Sequence, residues 1–203
     1  MAAAEPPREA RPASDLLARA FPAEVRAAIA KYPPGRQASA VLNLLYLAQV
    51  AYGRLTTEAI EEVAEALEMD ATQVRGLVGF YTLLLDAPHG GYVVQFCNDL
   101  PCALRGAEAL LPTLCEKLGA QPGETSADGL FTLETVMCLA ACDHAPMMQV
   151  NLEYFTDLTA EGLDVLVADL RARAAAGPPR RPPFGFGPPS AMAAGPADRP
   201  ERG

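Results

Sequence analysis

Four cysteines in two close pairs are the residues of this chain best suited to chemistry. Cys97-Asn98-Asp99-Leu100-Pro101-Cys102 is a C-x4-C run, and Cys138-Leu139-Ala140-Ala141-Cys142 is a C-x3-C run. Each follows an extended apolar stretch, Tyr92 to Phe96 before the first and Phe131 to Val136 before the second. Two strand ends that each spill into a short cysteine loop can bring four thiolates to one point. Four thiolates suit a soft metal centre, either zinc or an iron–sulfur cluster.

The spacers of four and three fit a wide object, with each pair holding one iron of a [2Fe–2S] rhomb. Zinc sites also accept gaps of two to four, so on spacing alone both metals stay open, and so does a zinc-stapled interaction module. The order differs from plant-type ferredoxins, and a Rieske centre needs two histidines where this chain has only the poorly spaced His89 and His144. A thiol–disulfide enzyme fits less well, because neither pair has the C-x-x-C spacing. Four thiols drawn together should make metal binding part of folding.

Other candidates read as structural. Cys115 shares a helical face with Leu111, Leu114 and Leu118 and is expected to be a buried hydrophobe. His144 reads as a loop histidine with a backbone partner, the sharper option being a hydrogen bond near the centre. Gly90-Gly91 precedes a strand instead of linking strand to helix, so it is not a dinucleotide fingerprint. No Ser/His/Asp or Cys/His set stands at useful spacing, and no substrate site is expected on this chain.

The elements that must position the cysteines follow from periodicity. Residues 1–13 are Ala/Pro/Arg/Glu-rich without a pattern and are expected to be disordered. Helices are expected from an N-cap at Ser14, from Pro22, over Gln37–Tyr52, after Thr56 and after Asp70. Glu58, Glu61 and Glu62 sit where they complement a helix dipole. After Gly90-Gly91 come strand 92–96, a helix from about Ala103 to Leu118, strand 130–136, strand 147–151, a short Tyr154-Phe155 strand and a helix from Thr159 to Ala175. Pro112 would cost about 3 kcal/mol in a regular helix interior, so a kink or a helix start is expected there. The organisation expected is a helical region 14–88, a small α/β layer domain 89–176 and a Pro/Gly-rich tail 177–203. Within the tail, Arg180-Arg181-Pro182-Pro183-Phe184-Gly185-Phe186 is a candidate extended docking segment.

Of 203 residues, half are hydrophobic and the net charge is −9, which disfavours nucleic acid and acidic membrane surfaces as partners. Paired cysteines point to metal binding in a reducing compartment. The N-terminal stretch lacks the apolar core of a secretory signal. The longest apolar region, Ala38 to Ala51, contains Asn43 and Gln49 and is too short to span a bilayer.

The run from Val93 to Asn151 resembles the thioredoxin-like [2Fe–2S] ferredoxin family, found as the small cluster subunit of the NADH-oxidising module of respiratory NADH:quinone oxidoreductase. The matching residues are Cys97-x4-Cys102, Arg105-Gly106-Ala107-Glu108, Lys117-Leu118-Gly119, Gly123-Glu124-Thr125-Ser126-x-Asp128-Gly129-x-Phe131-Thr132-Leu133, Cys138-Leu139-x-Ala141-Cys142 and Ala145-Pro146-x-x-Gln149-Val150-Asn151. Upstream, Lys31-Tyr32-Pro33-Pro34-Gly35-Arg36-Gln37-Ala38-Ser39-Ala40 and Gly79-Phe80-Tyr81-Thr82 extend it, so that it covers about Phe21 to Ala174.

The resemblance implies an α/β (α+β) chain, an N-terminal helical bundle followed by a thioredoxin-like domain. It implies that Cys97, Cys102, Cys138 and Cys142 bind one [2Fe–2S] cluster and that the chain is an electron-transfer subunit of an oxidoreductase. FMN and NADH are expected on a partner subunit, since a hydride donor needs a flavin to split its electron pair. The small subunit of an NAD-linked formate dehydrogenase or hydrogenase is the close alternative. The expected place is cytoplasmic and peripheral, at the inner face of the cell membrane through the complex, without direct insertion. Region 14–86, with Phe80-Tyr81 and its apolar helix faces, either clasps the partner or packs on its own α/β domain. The chain departs from the family loop where an acid is expected at 137 and glycine at 140 and 143. It has Met137, Ala140 and Asp143. Losing the acid at 137 is expected to raise the cluster potential while Asp143 lowers it.

Overall fold

The computed structural model describes residues 15–179, so Ser14, the 1–13 stretch and the Arg180–Phe186 segment lie outside the described residues. The described residues form two compact units, 15–87 and 88–179.

The first unit is helical: α1 (Leu16–Ala20), α2 (Pro22–Ala30), α3 (Val41–Tyr52), α4 (Thr57–Ala66) and α5 (Ala71–Phe80). Pro22 occupies the first turn of α2, where its missing N–H costs nothing. The helix expected over Gln37–Tyr52 starts as a 3-10 turn, Gln37–Ala40, and ends at Gly53 with φ +77°. Thr56 accepts the Ala59 amide and Asp70 accepts the Thr72 amide, so both expected caps are made. Leu44, Leu45, Leu47, Leu55, Ile60, Val63, Val74 and Val78 close one core. The apolar helix faces are thus largely used inside the unit; among the described residues Phe80, 76% exposed, and Val50, 39% exposed, are the large apolar side chains left outside.

Glu62 departs from its expected role. It is not a solvated dipole partner but a buried acceptor, taking the Leu17 and Ala18 amides at 3.0 Å each and the Tyr52 hydroxyl at 2.6 Å. It satisfies the first free N–H groups of α1 from another helix, because Asp15, the actual N-cap, makes no side-chain cap bond. Gln49 is likewise buried, donating to the Leu83 carbonyl and accepting the Leu85 amide.

The second unit holds β1 (Tyr92–Cys97), α6 (Leu100–Leu104), α7 (Ala107–Leu118), β2 (Phe131–Val136), β3 (Met148–Val150), β4 (Glu153–Phe155) and α8 (Ala160–Ala176). Strand order is β2-β1-β3-β4. β1 runs parallel to β2, while β3 is antiparallel to β1 and β4 to β3. Val94, Phe96, Phe131, Leu133, Leu114, Leu118, Leu163, Val167 and Leu170 form its core. The helix expected over Ala103–Leu118 is two helices, because Gly106 turns left-handed at φ +94° between them. Pro112 neither starts nor ends α7, which runs through it.

The entrance to the sheet is tightly specified. A Cβ at Gly90 would meet the Leu130–Phe131 backbone at 2.9 Å, so only glycine fits. Asn151 in the β3–β4 turn accepts the Val93 amide and donates to the Gly91 carbonyl, both at 2.9 Å. Before β2, Ser126 Oγ accepts the Phe131 amide, and Asp128 accepts from the Ser126 hydroxyl, the Leu130 amide and Arg171. Arg171 also lies over the Phe131 ring, 5.0 Å from its centroid.

Both sets of polar anchors have measurable consequences. Glu62→Ala removes the acceptor shared by two amides and the Tyr52 hydroxyl; a loss of about 2–3 kcal/mol in denaturant unfolding and faster hydrogen exchange at Leu17 and Ala18 are expected. The Ser126 hydroxyl, then Arg171 and the Leu130 amide, hold the Asp128 carboxyl at about 2, below its ordinary 3.8. The stabilisation is thus whole above about pH 4 and disappears as pH falls through 2. Asp128 is 46% exposed, so Asp128→Asn should cost only about 1 kcal/mol at neutral pH. Acid unfolding of the two proteins should converge as pH drops from 4 toward 2, and a gap that widens there would refute the assignment.

Candidate metal centre

The first cysteine pair is built on the end of β1. The Cys97 amide donates to the Met147 carbonyl at 3.2 Å and the Asn98 amide to the Val136 carbonyl at 3.1 Å, so both neighbouring strands grip the last rung. Asp99 then accepts the Leu100 amide at 2.9 Å and opens α6, which puts Cys102 in its first turns. Cys97 and Cys102 are both buried. Burial, then a hydrogen bond with Cys97, pushes the Cys102 thiol up to about 11, against the lowering effect of a Met147 backbone hydrogen bond.

The second pair is built on the loop after β2 and is exposed. Cys138 and Cys142 stand with their sulfurs 3.2 Å apart, as free thiols. The Cys142 thiol is raised by its hydrogen bond with Cys138, then by desolvation and by the charges of Cys138, Cys97 and Asp99. Of the two positions expected to want glycine, only 140 does. Ala140 is left-handed at φ +64°, and its amide donates to Cys138 Sγ at 3.3 Å. Asp143 lies in an ordinary 3-10 turn, Cys142–His144, where an L side chain is unstrained. Met137 is 72% exposed.

The structure thus brings all four sulfurs to one end of the β1–β2 pair. Cys102 and Cys142 each feel Cys97, and Cys102 also feels Cys142. Among the described residues, no three ligand side chains are set tightly enough to share one ion. The arrangement is two pairs within electrostatic reach. Soft sulfurs paired in this way, with a backbone N–H aimed at one of them, suit a thiolate-held iron–sulfur centre. Cys115 lies elsewhere, buried in the core with its thiol raised by desolvation, as its helical spacing indicates.

His144 has carboxylate partners and not the expected backbone one: Nδ1 is 3.0 Å from Asp157 and Nε2 is 3.4 Å from Asp143. The Asp157 amide also donates to the His144 carbonyl. A further contact reaches the cysteine loop from β4, where the Tyr154 hydroxyl donates to the Leu139 carbonyl at 2.8 Å. Neither Tyr154 nor Asp157 stands out in the sequence, since both act across the fold on a loop more than ten residues away.

Left-handed backbone at a residue with a Cβ costs about 1–2 kcal/mol. Ala140→Gly should therefore raise unfolding stability by about 0.5–1 kcal/mol, read as a higher denaturant midpoint at unchanged slope. A lower midpoint would show that the positive φ carries no strain.

Comparison with known proteins bears on the same residues. The family model for thioredoxin-like [2Fe-2S] ferredoxins matches residues 25–171, which include all four paired cysteines. An NADH-quinone oxidoreductase subunit of Rhizobium meliloti (strain 1021) is 44% identical over 149 residues, covering 73% of this chain and 88% of the relative. NADH-quinone oxidoreductase subunit 2 of Thermus thermophilus is 42% identical over 144 residues, covering 70% of this chain and 80% of the relative. Among solved structures, an NAD+-reducing [NiFe]-hydrogenase in its H2-reduced state matches with a TM-score of 0.57 at 24% identity. That match covers 64% of this chain and 22% of the hydrogenase chain, and it speaks to the fold. Cysteine pairs at the ends of parallel strands, the four-stranded mixed sheet and the match over residues 25–171 agree: the chain belongs to the thioredoxin-like [2Fe–2S] ferredoxin family.

Proposed function

We propose that Cys97, Cys102, Cys138 and Cys142 hold one [2Fe–2S] cluster and that the chain is the small electron-transfer subunit of the NADH dehydrogenase module of an NADH:quinone oxidoreductase. The observation that carries this is the meeting of a C-x4-C and a C-x3-C loop at one end of a parallel strand pair. The relatives, subunits of NADH-quinone oxidoreductases, support the setting. When bound, such a cluster takes up and returns one electron at a time. The partner subunit then supplies NADH and FMN.

The chain's own residues divide the work. Cys97 and Cys102 sit in buried backbone that limits water around their sulfurs. The Ala140 amide offsets charge on Cys138. Cys138 and Cys142 lie at the surface, on the side from which an electron donor can approach. Leu100 and Leu104 on α6 and Met137 beside Cys138, each at least 66% exposed, offer apolar surface to a partner. Residues 14–88 are then a helical region, with Phe80 as a second apolar contact, and 89–176 the cluster domain. Among the described residues no helix is long and apolar enough to cross a membrane. We place the chain peripherally at the inner membrane face, held by other subunits.

Purification of the full chain without oxygen, with visible absorption and iron and sulfide analysis on one sample, tests the reading. Brown protein with about two irons and two sulfides per chain, bleached by dithionite, is expected. Cys102→Ala and Cys138→Ala should lose the colour, whereas Cys115→Ala should keep it. Colourless protein with one zinc would overturn the redox reading. Subunits that co-purify separate the quinone-linked complex from a formate dehydrogenase or hydrogenase.

A further inference from the structure

The second cysteine loop is exposed, strained at Ala140 and tied down at few points. One of those points has a particular geometry. The Leu139 carbonyl and the Ala140 amide are the two ends of a single peptide unit, and in a trans peptide they point in opposite directions. The carbonyl end accepts the Tyr154 hydroxyl at 2.8 Å, and the amide end donates to Cys138 Sγ at 3.3 Å. The three groups form a chain: phenol O–H to C=O, then N–H to sulfur.

We propose that Tyr154 is a positioning residue that, through the Leu139–Ala140 peptide, sets the hydrogen bond to Cys138 and with it the reduction potential of the centre. This rests on the reading of Cys138 as a cluster ligand. A hydroxyl donating to the carbonyl polarises the amide, strengthening what its N–H can give, by some 10–30% per bond in condensed-phase estimates. An N–H···S bond favours the more negative, reduced state, so a stronger one raises the potential. Position adds to polarity. Tyr154 stands on β4, paired with Gln149 of β3, so its ring leaves a sheet strand and not a loop. It is half exposed, so its hydroxyl is available to this contact without support from the core. The peptide it grips leads into Ala140 at φ +64°, a conformation that an isolated loop would tend to leave.

The test uses the full chain with its cluster assembled without oxygen. Midpoint potentials are measured for the wild type, for Tyr154→Phe, and for a chain with 3-fluorotyrosine at position 154 alone, at a pH well below the fluorophenol pKa. Iron and sulfide are counted on every sample. Removing the hydroxyl should shift the reduction equilibrium two- to tenfold toward the oxidised form, ~20–60 mV more negative for a one-electron couple. The fluorinated phenol, a stronger donor, should shift it the other way. Opposite shifts at equal cluster content support the proposal, since a merely structural ring would give the fluorinated chain the wild-type potential. Unchanged midpoints in both variants at full cluster content overturn it. A wild-type chain that holds no iron overturns the reading of the site beneath it, which is a different failure. If the Phe variant does not retain its cluster, the fluorinated chain decides alone: a positive shift supports the proposal and no shift overturns it.

Discussion

The parallel pairing of β1 with β2 is the constraint on which the rest depends. Its register runs from Tyr92 against Phe131 to Cys97 against Val136. Parallel strands end at the same edge of a sheet, so Cys97 and the Met137-Cys138 loop leave the ladder side by side. An antiparallel pair of the same two segments would send the loops to opposite ends. The pairing also demands a crossover, and α6 and α7 supply it between the strands. A slip of one residue would turn Val94, Phe96, Phe131 and Leu133 away from the core and take the cysteines out of step. The start of the ladder resists such a slip. The Gly90 amide donates to Thr132 Oγ1 at 2.6 Å, the Tyr92 amide donates to the Leu130 carbonyl, and the ring of Tyr92 stacks on Phe131.

From that common edge the two pairs enter different surroundings. Cys97 and Cys102 are buried, in backbone that hydrogen bonds hold from three sides. Cys138 and Cys142 are exposed, on a loop held by β4 and the segment after it. In a centre spanning both pairs, one end would sit in low dielectric and the other near water. Charge is less well stabilised in the buried half, which favours placing a transferred electron toward the exposed half. Met137, next to Cys138, is exposed there, and Leu100 and Leu104 are exposed on α6. Burying those against a partner would dry the exposed end and strengthen the Ala140 hydrogen bond to sulfur.

Much of this is legible in the residues themselves. The apolar runs before each cysteine pair are strands, the Thr56 and Asp70 caps form, and Cys115 follows its helical face inward. These are local signals, decided within a few residues. The features that depart from expectation depend on neighbours distant in sequence or on single backbone angles. Gly106 inside an otherwise helical pattern does not announce that it breaks the helix, because many helices tolerate one glycine. Glu62 near a helix start looks like a dipole partner, and only the arrival of α1 turns it into a buried cap. His144 finds Asp157 across the β3–β4 hairpin, a pairing that spacing cannot show. Asp143 and Ala140 both stand where glycine is expected, and the difference between them lies in one φ angle.

Ala140 shows how such an exception is sustained. Left-handed backbone there costs about 1–2 kcal/mol, so an unsupported loop would relax toward a more common conformation. Relaxation would turn the Leu139–Ala140 peptide, and both of its hydrogen bonds would go together: the one from Tyr154 and the one to Cys138. Two bonds worth about 1 kcal/mol each are enough to offset the strain. With a thiolate as acceptor, the second is charge-assisted and stronger still. The conformation that is costly in the free loop thus becomes cheaper as charge builds on Cys138. Strain and sulfur charge are coupled through one peptide, so a loop that departs from the expected glycine at 140 can still present its amide to the sulfur.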